Sequence, residues 1–141
     1  MRNLNRLVVE IRKLISMFGR DNIEFDEEDG LWVKILNYSL RNSKVRYNLF
    51  YITIFIHIPE HYDDEQPVVC MVDLDLKMNK GHGWEGLPHT HDKPEWAKLG
   101  YQWVCFEPDG LGKSMGLVSF VETIKLYLTN PVKYVDICSR Y

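Results

Sequence analysis

Disulfide chemistry is the first thing this sequence lacks. Three cysteines, Cys70, Cys105 and Cys138, make an odd number, and no two stand in a Cys-x-x-Cys pair. That excludes a disulfide scaffold and a thiolate zinc site as organising devices. Charge of one sign is also lacking: 17 Lys and Arg face 20 Asp and Glu, for a net charge of −3. The cations are scattered along the chain, so there is no electrostatic footprint for nucleic acid, which is not an expected partner. No apolar run is long enough to span a bilayer; the longest, residues 49–58, is interrupted by Thr53 and His57 and reads as a strand. The N-terminus carries no signal-peptide pattern, so a cytoplasmic protein with no membrane partner is expected. There is no internal repeat, no low-complexity linker and no nucleotide-binding βαβ unit. The 141 residues, 45% hydrophobic, are expected to form one domain over 1–141.

What is present begins with a periodic segment. Leu4, Leu7, Val8, Ile11, Leu14, Ile15 and Phe18 recur at helical spacing, with Arg2, Arg6, Glu10, Arg12 and Lys13 mostly outside the stripe. Gly19 supplies the stop, and the whole predicts a surface helix packed on something flat. Asp26 to Asp29 followed by Gly30 read as a turn. Residues 31–40, holding Trp32, Val33, Ile35, Leu36 and Tyr38, predict a strand, and Arg41-Asn42-Ser43-Lys44 a polar turn. Residues 47–58 predict one continuous second strand, with Phe50, Ile52, Ile54, Ile56 and Ile58 on one face and Pro59 ending it. Pro67 opens a third, in which Val68, Cys70, Val72, Leu74 and Leu76 alternate with Val69, Met71, Asp73 and Asp75. Together they predict an antiparallel meander with one buried face.

Residues 77–100 have no steady period and are rich in Gly, His, Lys, Pro and Trp, which predicts a long functional loop or lid. A short fourth strand over 101–106 and a turn at Glu107-Pro108-Asp109-Gly110 follow. Ser119 and Glu122 predict a capping box for a second helix, with Val121, Ile124 and Leu128 on its apolar face and Asn130-Pro131 as its stop. The expected class is α+β: an N-terminal helix on a small antiparallel meander, a long loop, then a second helix.

This order resembles the ubiquitin-conjugating enzymes. In that family the second strand ends in a proline, Tyr-Pro follows, and another proline opens the third strand; here Ile58-Pro59-Glu60-His61-Tyr62 leads to Gln66-Pro67-Val68, with Asp63 in the place of the middle proline. The family's active cysteine precedes a Ser- or Thr-capped helix that ends near a proline. Cys105, Ser119, Val121, Ile124, Leu128 and Pro131 match that pattern, with a shorter first interval. The likeness covers essentially the whole chain.

Two features depart from the eukaryotic enzymes. The His-Pro-Asn signature is replaced by Leu87-Pro88-His89-Thr90-His91 and a longer insert up to Cys105, and only ten residues follow Pro131. Both are similar to the compact bacterial ubiquitin-conjugating-like proteins of anti-phage operons, including those that modify a cGAS-like nucleotidyltransferase in CBASS systems. The resemblance implies a cofactor-free, metal-free antiviral transferase. Cys105 would take the C-terminal tail of a protein partner, either such a nucleotidyltransferase or a ubiquitin-like protein, as a thioester and pass it to an amine. ATP would be consumed by a separate activating enzyme.

Residue by residue, each site has a plainer reading beside it. Cys105, in Trp103-Val104-Cys105-Phe106, reads in isolation as a buried thiol among aromatics; its position relative to Ser119 and Pro131 makes it the acyl-carrying thiol, expected at the surface beside the second helix. Cys70 is in phase with Val68 and Val72 and reads as a core thiol; Cys138 has no supporting pattern. His89 and His91 are two solvated loop histidines, or one of them replaces the missing asparagine as a donor to the oxyanion. Asp109 reads as turn chemistry first, and second as a group orienting the attacking amine. Trp84, Trp96, Tyr101 and Trp103 form either a partner platform or packing that holds the long loop down. Gly110-Leu111-Gly112-Lys113-Ser114 echoes a phosphate loop, but its first glycine is too close to the lysine. Two further functions compete with transfer. One is an inert binding module, as in RWD domains. The other is a small metallohydrolase at His89, His91 and Asp92, for which no fourth ligand is evident.

Overall fold

The apolar stripe at the N-terminus forms the first helix, α1 (Leu4–Phe18), and buries Leu7, Ile11 and Leu14. It stops where expected: Gly19 adopts a left-handed φ of 89° and donates its N–H to the Ile15 carbonyl at 2.8 Å. The structure, a computed structural model, describes residues 4–60, 62, 67, 69–91, 93–106 and 116–138, with residue 4 and the last four as backbone alone.

The helix lies against an antiparallel sheet of six strands. These are β1 (Ile23–Phe25), β2 (Trp32–Ser39), β4 (Tyr51–His57), β5 (Val69–Asp73), β9 (Tyr101–Cys105) and β8 (Thr90–His91), in the spatial order β1-β2-β4-β5-β9-β8. A second, three-stranded sheet joins β3 (Arg46–Tyr47), β6 (Met78–Asn79) and β7 (Trp84–Glu85) in the order β3-β6-β7. The class is therefore α+β, with an N-terminal helix on an antiparallel sheet.

The turn at Asp26 forms through its own side chain. The carboxylate accepts from the N–H groups of Glu28 and Asp29 at 3.2 Å each and of Leu31 at 3.0 Å, which folds β1 back on β2. β2 and β4 alternate as their sequences require: Val33 and Ile35 face the core together with Ile52, Ile54 and Ile56. The register slips once, between Ile35 and Tyr38, where Asn37 sits at a φ of 54°. Such a bulge is a place where asparagine is tolerated in the left-handed region.

Five expectations are corrected. Residues 47–58 are not one strand, because Asn48 interrupts them: its amide donates to the Asp75 carbonyl at 2.7 Å and its Oδ1 accepts from the Lys77 N–H at 2.7 Å. Tyr47 thereby goes to the small sheet and Tyr51 to the large one. The stretch 77–100 is not a single loop; it contains β6, β7, β8 and a helical turn, α2 (Pro94–Ala97). The meander does not bury one face only, since Met71 is buried on the face opposite Cys70 and Val72.

The fourth and fifth corrections concern the C-terminal third. Helix α3 (Leu117–Thr129) starts two residues before Ser119, so Ser119 is exposed inside its first turn and forms no capping box with Glu122. The Leu117 N–H is satisfied by the Tyr62 hydroxyl at 2.6 Å, a partner 55 residues away. Asn130-Pro131 does end α3, as expected, but a further helix follows that was not expected. Asn130 closes α3, and its side chain accepts from Lys133 N at 3.3 Å, opening α4 (Pro131–Cys138) with proline in the first position. The apolar face of α3 adds Leu117, Phe120 and Tyr127 to the expected Val121, Ile124 and Leu128, and both α1 and α3 bury into one core against the sheet.

Candidate functional site

Cys105 is the last residue of β9, and its two neighbours are anchored. Val104 is buried in the core opposite Cys70. Phe106 is buried among three rings, edge-on to Phe120 at 5.6 Å, Tyr127 at 5.2 Å and Tyr134 at 6.1 Å between centroids. Each such contact adds about 0.5–1.5 kcal/mol beyond the area it buries. The backbone on both sides of the thiol is thus held by packing.

Strand alternation sets the direction of the side chain. With Val104 pointing to the core, Trp103 and Cys105 face the other side of the sheet, away from α1 and α3. Cys105 is half-buried and in no disulfide. The chain does run beside the second helix, but through Phe106; the thiol is turned to the opposite face.

In the β8–β9 ladder Thr90 pairs with Val104 and His91 with Trp103, and His89 lies in the turn just before β8. The Cys105 N–H donates to the His89 carbonyl at 3.2 Å. His89 and His91 are exposed, and the Lys93 ammonium lies 5.2 Å from the centroid of the Trp103 ring. The segment before His89 is tied to the core: Leu87 is buried, the Thr90 hydroxyl donates to its carbonyl at 3.2 Å, and the Tyr127 hydroxyl on α3 donates to the Pro88 carbonyl. Burial pushes the Tyr127 hydroxyl well above its ordinary pKa, so it remains a donor.

His89 has a φ of 61°. A side chain other than glycine costs roughly 1–2 kcal/mol in that conformation, and such residues cluster where a site requires an unusual direction. Because glycine pays its own entropy of about 0.5–1 kcal/mol on folding, His89→Gly should leave stability unchanged or raise it by up to about 1 kcal/mol. Urea unfolding checks this; a clear loss of stability would mean that the imidazole is held by packing.

The remaining candidates separate. Cys70 is fully buried in the core; burial first, and then neighbouring Cys105, pushes its thiol up, which makes it a poor nucleophile. Trp96 and Tyr101 pack on Phe55 at 6.0 and 5.7 Å, Trp32 stacks on the same ring at 5.7 Å, and these contacts hold α2 against the sheet over Met71. They are packing. Trp84 lies on the small sheet, apart from this cluster. Asp109, Asp92 and the 110–114 glycine-lysine stretch lie outside the described residues, as does the side chain of Cys138.

No family model matches the chain, and no curated protein or solved structure is similar to it. The site is therefore read from its own chemistry. A half-buried thiol at the end of β9, with two exposed histidines on the adjoining segment, suits nucleophilic or transfer chemistry. Among the described residues no three His, Cys, Asp or Glu side chains are grouped to hold a metal ion. None of these described residues forms a helix long and apolar enough to cross a membrane. What the sequence missed was β8 itself, since a two-residue strand leaves no period to detect, and with it the pairing that joins His89 to Cys105.

Proposed function

We propose that this protein is an acyl carrier of the ubiquitin-conjugating kind, with Cys105 as the carrying thiol. The observation that carries the proposal is the position of His89, left-handed in the turn before β8, with its carbonyl accepting the N–H of a half-buried strand-end cysteine. The order of helix, antiparallel sheet, strand-end thiol and second helix supports the same reading.

In the first step the Cys105 thiolate attacks the activated C-terminal carbonyl of a partner protein. A C–S bond forms and the activating group leaves, its ATP spent by a separate enzyme. In the second step an amine attacks the thioester carbonyl, the C–S bond breaks, the sulfur departs as thiolate, and the amine proton passes to solvent or a nearby base. No cofactor is needed. The His89 or His91 imidazole, as an N–H donor, stabilises the oxyanion between these events, which is the role left open by the absent asparagine. The partner is a protein with an accessible C-terminal tail, either a cGAS-like nucleotidyltransferase of a bacterial anti-phage system or a ubiquitin-like protein.

Intact mass spectrometry on the protein incubated with its activating enzyme, ATP and the partner tests this. A thiol-sensitive adduct on the wild type that is absent from Cys105→Ala is the expected result. His89→Gly should still load but discharge to amine about a hundredfold more slowly, the usual loss when one oxyanion donor is removed. If Cys105→Ala retains biological activity while charge reversal at Lys93 abolishes it, the site is a binding module and carries no acyl group.

A further inference from the structure

The structure gathers cations that look scattered in the sequence. Residues 31–58 contain no Asp or Glu but hold Lys34, Arg41, Lys44 and Arg46. Among the described residues, three aromatic rings are more than a third exposed: Phe50 at 67%, Tyr51 at 49% and Trp84 at 47%. Each has an arginine over it. Arg41 lies 5.2 Å from the Phe50 centroid and 5.5 Å from that of Tyr51, and Arg46 lies 5.6 Å from that of Trp84.

Sheet register explains the second stack. Arg46 pairs with Asn79 and Asn79 with Trp84, so all three stand in one row on the outward face of the small sheet. A surface depression lined by Arg41, Val45, Arg46, Leu49 and Phe50 joins the two stacks. Arg41, Lys44 and Arg46 are exposed and pair with no carboxylate among the described residues. Glu85, on the same small sheet, is engaged by Lys80 at 3.5 Å.

We infer that this face of the small sheet, with the adjoining Arg41 and Phe50, binds a single strand of nucleic acid. An arginine held over a ring has part of its freedom already removed, which favours phosphate recognition by its guanidinium group. The exposed parts of Phe50 and Trp84 offer faces on which unpaired bases stack, and the depression lined by Arg41, Arg46 and Phe50 accommodates the backbone between them. A duplex hides its base faces and cannot use the rings. Net charge does not oppose this, because screening confines the relevant field to about 8–10 Å around the patch.

The test is fluorescence anisotropy of a labelled ~15-nucleotide single strand, titrated with the full chain at about 50 and about 200 mM salt. Two double variants are compared at these exposed positions, with urea midpoints confirming that they fold. Arg41→Gln with Arg46→Gln should weaken binding at least tenfold at low salt and flatten the log K against log salt slope by about 1.4, at ~0.7 per phosphate contact. Phe50→Ala with Trp84→Ala should weaken it on the order of tenfold or more with the slope unchanged. Three results overturn the inference: no binding at low salt, undiminished binding after loss of both rings, or equal affinity for the matching duplex. Binding to phosphatidylserine vesicles that shows this variant dependence, with no oligonucleotide binding, overturns it in favour of a membrane surface.

Discussion

Tyr62→Phe is expected to destabilise the protein by about 2–4 kcal/mol, a large effect for the loss of a single oxygen. Tyr62 is buried, and its hydroxyl is the joint between three parts of the chain. It donates to the Glu10 carboxylate on α1 and accepts the Leu117 N–H that opens α3. Burial, followed by the bond to Glu10, pushes the hydroxyl above its ordinary pKa, so it stays protonated and keeps donating. Arg6 completes the group, 3.8 Å from Glu10 and 4.8 Å from the Tyr62 ring centroid.

Removing that oxygen leaves the Leu117 N–H buried without its acceptor, which costs about 1–3 kcal/mol, and takes a hydrogen bond from a carboxylate, worth about 1.5–3 kcal/mol. Part of the second loss is recovered by solvent, because Glu10 is not fully enclosed. The same group explains Gly116. Any side chain there would overlap the Glu10 carboxylate and crowd Arg6, so Gly116→Ala should push Glu10 away and cost about 1–2 kcal/mol. Because both substitutions break one network, the double variant should be less destabilised than the sum. Urea midpoints at constant m measure all three; additive effects, or a Tyr62→Phe loss under about 0.5 kcal/mol, would refute the shared joint.

This joint also shows where sequence reading fails. The start of α3 looked like a Ser119–Glu122 box because local spacing is all that a sequence offers. The real cap comes from Tyr62, 55 residues upstream, and no pattern marks it. Tyr47 and Tyr51 alternated as if in one strand because period-2 patterning does not register Asn48 bonding away to Lys77 and Asp75. Segments that bury a long apolar face were legible from their own spacing: α1, the Ile52–Ile54–Ile56 side of β4 and the inner face of α3. The two-residue strands β3, β6, β7 and β8 were not, since they exist only through pairing. The site was half visible for the same reason. Cys105, His89 and His91 stood out by residue type, while their relation depends on β8.

Packing fixes Phe106, next to the thiol, and the residues that open α3. Phe106 is fixed by Phe120, Tyr127 and Tyr134 on one side, and Gly116 and Leu117 are fixed by Glu10 and Tyr62 on the other.

The most decisive chemical outcome is expected from Cys105→Ser, on the proposed acyl-carrier reading. The substitution keeps a nucleophilic oxygen at the same strand end but changes the leaving group. A thioester expels a thiolate whose parent acid has a pKa of about 8.5, whereas an oxyester must expel an alkoxide from an alcohol about as weakly acidic as water. Discharge to amine should slow on the order of a hundredfold or more, since better leaving groups have the lower pKa. Loading, driven by an activated carboxyl, is slowed less. The partner adduct should therefore accumulate, and it should survive a thiol reductant that strips the wild-type adduct. Intact mass before and after reductant reads both properties. An adduct on Cys105→Ser that is as short-lived as the wild type, or a wild-type adduct that resists thiols, would place the covalent bond on another residue and remove Cys105 from the chemistry.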